Sequence, residues 1–195
     1  MTRWLIIALA AFAAWHWWDG RAVERPPGIA AAGIPEQQNI PGPSPQFHKN
    51  GYVLRALARF SMTARALSVE RYRFDREADL APVDVAFGWG PMSDSAVLAK
   101  LRVSQGGRFY SWRADPLPLP RRDIEVNSAN MHLIPANADV ERTLKRVRAG
   151  NLVELSGYLV ETSAADGWRW RSSTTREDTG AGACELIWVE RLALR

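Results

Sequence analysis

Arg3 is followed by fifteen residues, Trp4 to Trp18, without an Asp, Glu, Lys or Arg, and Asp19 and Gly20 close the run. Tryptophans at 4, 15, 17 and 18 mark its two ends, and indole rings prefer the headgroup boundary of a bilayer. This feature takes the first twenty residues out of any water-soluble core. As a helix the run reaches about 22 Å, short of the roughly 30 Å hydrocarbon core, so spanning needs the preceding turn or local thinning of the bilayer. A cleaved secretory signal is the rival, since Ala11-Phe12-Ala13 has the form of a cleavage site. Cleavage there would strand Trp15, His16, Trp17 and Trp18 at an exposed N-terminus, a pattern that fits an interfacial belt better.

The sequence therefore predicts a membrane anchor over residues 4–18. Arg3 on one side is balanced by Arg21 and Arg25 on the other. Export of a large C-terminal part is the usual outcome for a short N-terminal anchor, so residues 21 to 195 are expected in a bacterial periplasm, tethered to the inner membrane. Secretion after cleavage is the alternative.

Pro26, Pro27, Pro35, Pro41, Pro43 and Pro45 crowd the stretch after the anchor. Proline at that density favours extended segments, and residues 21–51 read as a linker that lifts a domain off the bilayer. Residues 52–195 suffice for one domain with its own core. Cys184 is the only cysteine, so no intrachain disulfide supports the fold. Beyond residue 20, 24 basic residues face 20 acidic ones, an excess that bears on solubility and non-specific attraction rather than on an activity.

Periodicity within 52–195 points to short strands. Phe60, Met62, Ala64 and Ala66 alternate before the phase changes at Leu67 and Val69, the mark of a long strand with a bulge, and a helix with Leu54, Leu57 and Ala58 inward is the alternative. Residues 81–88 form a strand entering the Gly88-Trp89-Gly90-Pro91 turn, and Ser93 or Asp94 caps a short helix reaching Leu101. Gly106-Gly107 centres a hairpin over residues 103–113. Asn137 caps a helix with Val140, Leu144 and Val147 inward, ended by Gly150. Strands follow over 152–161, 168–173 and 183–190, with Asp166-Gly167 as a tight turn. The expected fold is mainly β (α+β): a compact antiparallel domain like a small barrel, with one or two short helices, after an N-terminal membrane helix. The passage Arg148 to Tyr158 resembles OB-type and other small barrels.

Chemical signals are few. Asp178-Thr179-Gly180-Ala181 matches the aspartic-protease signature, but Thr175, Arg176 and Glu177 precede it where that family has an apolar strand. Cys184 with His132 and Arg191 is similar in residue types to sortase-like transpeptidases, yet Ala181-Gly182-Ala183 lacks their threonine-rich strand. His16, His48 and His132 are scattered, with no metal-ligand spacing. No catalytic residue, metal or cofactor is predicted. Trp168-Arg169-Trp170-Arg171 places both indoles on one face of a strand, as core or as a stacking platform. Trp89 between two glycines indicates a shaped turn. Trp89, Asp94, Asn130, His132, Trp168 and Trp170 are the candidate ligand-binding residues.

Residues 87–94 (FGWGPMSD), 128–135 (SANMHLIP), 166–173 (DGWRWRSS) and 178–185 (DTGAGACE) resemble those of a family of uncharacterised membrane-associated proteins from proteobacteria. The resemblance covers most of the chain after the linker and implies membrane association without assigning an activity. The expected function is non-catalytic binding of a partner or ligand in the cell envelope, with an envelope protein as the expected partner. A cysteine-dependent transferase or hydrolase using Cys184 is one alternative, and a small-barrel polyanion binder is another, with glycan favoured over nucleic acid.

Overall fold

A computed structural model describes residues 4–7, 21–175 and 183–195. Its strands are β1 (Glu36–Gln38), β2 (Gln46–Lys49), β3 (Tyr52–Arg71), β4 (Val83–Gly88), β5 (Arg102–Gly106), β6 (Phe109–Arg113), β7 (Ser128–Pro135), β8 (Leu152–Ser163), β9 (Arg169–Arg171) and β10 (Glu185–Leu194). Beyond residue 20 the described α-helices are short: α1 (Ser95–Leu98), α2 (Arg121–Val126) and α3 (Ala138–Leu144). The protein is mainly β, with one large sheet.

β3 organises that sheet. Its first part pairs antiparallel with β8 and its last part with β4, the two partners meeting at Arg65, with a register shift at Leu57 within the first pairing and one at Leu67 within the second. The second shift falls where the alternation of apolar residues changes phase, because an extra residue exchanges the faces of all that follow. From β4 the pairing continues to β7, from β7 to β10 in parallel, and from β10 to β8. Since β8 also pairs with β3, five strands hydrogen-bond in a closed ring.

Phe60, Met62, Val85, Phe87, Met131, Leu133, Leu155 and Ile187 fill the larger core. Val140, Leu144 and Val147 complete it from α3 and the turn after it. α3 is capped as its sequence predicts, with Asn137 accepting from the backbone N–H groups of Asp139 and Val140. Gly157 lets β8 cross close to β10: a Cβ there would collide with the Trp188 carbonyl. On the other face of the sheet, Leu54, Ala56, Ile134, Val160 and Leu186 join Tyr158 and Trp188 in a second cluster.

The proline-rich stretch lies along the domain. β1 and β2 both add to β3 as antiparallel edge strands, where missing proline N–H groups cost no ladder bonds. Val23 donates to the Ala149 carbonyl, and the Gly90 N–H donates to Ala31, which is buried. Extended, proline-rich chain suits such a strap as well as it suits a spacer.

Among the described residues no helix is long and apolar enough to cross a membrane. Residues 4–7 are helical. The rest of the expected anchor, residues 8–18, lies outside the described residues, as does the whole of Asp178-Thr179-Gly180-Ala181.

Candidate functional site

Alternation along β4 and β7 turns Asp84, Ala86, Asn130 and His132 away from the larger core. Asp84 is fully buried on this face, and His132 and Asn130 nearly so. The cover is the hairpin of β5 and β6. Its tip, Gly107-Arg108, has positive φ at both positions, 57° and 69°, as a two-residue turn of this kind requires.

Arg108 fastens the tip. Its guanidinium donates to Asp84 Oδ1 at 2.9 Å, to the Ala81 carbonyl at 2.9 Å and to Asp75 Oδ1 at 2.6 Å. It lies 3.7 Å from the centre of the Tyr72 ring. The Arg108 N–H donates to the Tyr72 hydroxyl, and its carbonyl accepts from Asn130 Nδ2. Burial holds the Tyr72 phenol above its ordinary pKa, while the bond from the Arg108 backbone works against that rise. On the other side of Asp84, His132 Nδ1 lies 2.9 Å from Oδ2. Trp170 packs on the imidazole with ring centres 4.8 Å apart.

Beneath the hairpin lies a cavity of about 360 Å³. Phe109, Tyr110 and Trp112 of β6 form one wall, and Trp89 and α2 form others. Ser128 and Asn130 of β7, with Cys184 and Glu185 at the start of β10, make the floor. Trp89 is set by the glycines around it: Gly90 has φ 49°, and a Cβ on Gly88 would strike the Met92 carbonyl. The Tyr110 hydroxyl lies 3.1 Å from Ser128 Oγ. Burial pushes the Tyr110 phenol up, against the opposing effect of its bond with Ser128, so it stays a neutral donor. A larger groove of about 590 Å³, bounded by residues 33–36, 61–63, 154–156 and 191–195, has no aromatic wall.

Of the residues picked out from the sequence, Trp89 and Asn130 share the cavity with Cys184. His132 and Trp170 lie on the adjoining face. Trp168 extends that face, 6.2 Å from Trp170 and 5.4 Å from Tyr52 between ring centres, with the Arg76 guanidinium 4.7 Å from its own. Asp94 lies apart, capping α1 through the Ala96 N–H and accepting from the Gly28 N–H. These two bonds hold its carboxyl below the ordinary pKa. Arg191 is seven residues from Cys184, about 23 Å of strand, and lines the larger groove.

Sequence reasoning missed Asp84, Arg108, Tyr110 and Trp112. Asp84 alone carried a signal, as a charge inside the apolar run Val83 to Phe87. Among the described residues no three His, Cys, Asp or Glu side chains are grouped to hold a metal ion. Comparison with protein-family profiles, with curated proteins and with solved structures finds no match to the chain.

Proposed function

We propose that the chain is a membrane-tethered, periplasm-facing binding domain that captures a small ring-shaped ligand, of the class of envelope saccharides, without chemical turnover. The aromatic-walled cavity under the β5–β6 hairpin carries this reading. Its volume falls in the range of small-molecule sites, and such sites combine apolar walls with a few placed polar groups. The rings of Tyr110 and Trp112, which share one face of β6, suit the C–H face of a sugar, with Trp89 packed in the core behind them. The Tyr110 hydroxyl suits the sugar's hydroxyl and amide groups, whereas Ser128 and Asn130 are bonded within the protein, Ser128 to the Ile124 carbonyl and Asn130 to Gln105 Nε2 and the Arg108 carbonyl.

The strand order gives independent support. A ring in the order β3-β4-β7-β10-β8, with β7 and β10 parallel and a helix between β7 and β8, is the arrangement of OB-type barrels. Those barrels bind oligonucleotides and oligosaccharides on the face of their second and third strands. β4 and β7 occupy that place, but this is an analogy of fold alone. The Arg108 tip covers much of the face, which argues against a long polyanion lying across it and favours a compact ligand at the side. Binding that fell steeply with salt would instead favour the polyanion.

Titration of the full chain in detergent micelles with the disaccharide of N-acetylglucosamine, followed by tryptophan fluorescence, tests the reading. A saturable change that Trp112→Ala abolishes is expected. No change up to millimolar sugar would count against a saccharide ligand.

A cysteine-dependent enzyme is the second reading. One observation favours it: Asp84 Oδ2 lies 2.9 Å from His132 Nδ1 on the strand beside Cys184, the neighbourhood in which an orienting carboxylate serves a catalytic base. A thiol probe that reacts with folded protein, and more slowly with His132→Gln, would support it. Labelling only after denaturation would remove it.

A further inference from the structure

We infer that the end of the domain around the turn after α3 is a docking surface for anionic phospholipid headgroups. The inference rests on the tether reading. The geometric starting point is Val23, whose N–H donates to the Ala149 carbonyl. Gly150 makes this approach possible, since it has φ 88° and a Cβ there would collide with the Val23 carbonyl. Arg25 adds a second clasp, donating from Nε to the Gly150 carbonyl at 2.6 Å and from Nη2 to the Arg195 carbonyl. The strap is therefore seated on the domain three residues after position 20.

Three extended residues span about 10 Å, so the turn at 145–150 lies within that reach of the end of the anchor. That distance is comparable to a Debye length at physiological salt, within which surface charge is felt. Lys145, Arg146 and Arg148 belong to the turn itself, Arg21 and Arg25 flank Val23, Arg25 meets the Arg195 carbonyl, and Arg71 donates to the Lys145 and Val147 carbonyls. Opposing them are Glu24, Glu141, paired with Lys145, and Glu154, paired with Arg195. The basic excess faces the one large anionic surface that the tether guarantees, a leaflet containing acidic lipid.

The test uses the full chain, with Cys184→Ser and a fluorophore on a single new cysteine, in phosphatidylcholine vesicles with or without 30 % phosphatidylglycerol. Positions are Arg146→Cys at the proposed surface, Ser104→Cys on the hairpin and Ala11→Cys in the apolar run. A headgroup-linked quencher is expected to act at least threefold more strongly at 146 than at 104 when phosphatidylglycerol is present. Much of that excess should vanish in pure phosphatidylcholine or after Arg148→Glu. A label at 11 beyond reach of an acyl-chain quencher would overturn the tether and the proposal together. A label at 11 within the acyl region, with equal quenching at 104 and 146, would overturn the proposal alone. Stronger quenching at 146 that ignores lipid charge would overturn the headgroup recognition.

Discussion

Asp84 and Arg108 meet across 24 residues of sequence, and their pairing sets both the stability of the hairpin and the shape of the cavity beside it. A carboxylate with no exposed surface needs a partner, and removing one member of such a pair costs about 3–5 kcal/mol. Arg108→Met is expected to lose that much in urea unfolding, and Arg108→Met with Asp84→Asn to recover part of it. Equal losses in the single and double variants would show that Asp84 does not depend on the guanidinium.

A second pair predicts a pH dependence. Arg76 donates two bonds to Asp166, and this bridge, with the Trp168 N–H, lowers the Asp166 carboxyl to about 2. In the unfolded chain the carboxyl has a pKa of about 3.9. The bridge therefore stabilises fully above about pH 4 and is lost as pH falls toward 2. The difference in Tm between the parent chain and Asp166→Asn should shrink over that window, and a difference constant from pH 7 to 2 would refute the assignment.

Individual elements were legible where pattern and local chemistry agreed. Alternation revealed β3 and its second bulge, Asn137 announced the start of α3, and Gly106-Gly107 announced the hairpin. Asn137→Ala should cost about 1 kcal/mol, measured by thermal unfolding, because two backbone N–H groups lose their acceptor. Gly157→Ala should cost about 1–3 kcal/mol, or more if β8 and β10 must separate, since the added methyl meets backbone rather than a movable side chain. β7 escaped notice because both its faces are buried, one in the core and one under the hairpin, so Asn130 and His132 broke an otherwise apolar run. β1 and β2 were hidden among prolines, since edge pairing with β3 leaves little trace in composition. Asp84 showed as an anomaly in its strand, but its partner was not readable. Where a hairpin folds back is decided by the whole ring, not by residues near Arg108.

At the scale of the molecule, the ring of five strands, the strap and the hairpin divide the labour. The ring supplies the floor of the cavity, the hairpin its aromatic wall, and the strap ties the whole to the segment read as an anchor. The central claim is that a ligand enters beside the hairpin rather than lying on the Trp168–Trp170 strand. Indole N–H resonances in a two-dimensional NMR spectrum of the full chain, titrated with the disaccharide of N-acetylglucosamine, test it most directly. The account predicts saturable shifts confined to Trp89 and Trp112, whereas shifts centred on Trp168 and Trp170, or none at all, would contradict it.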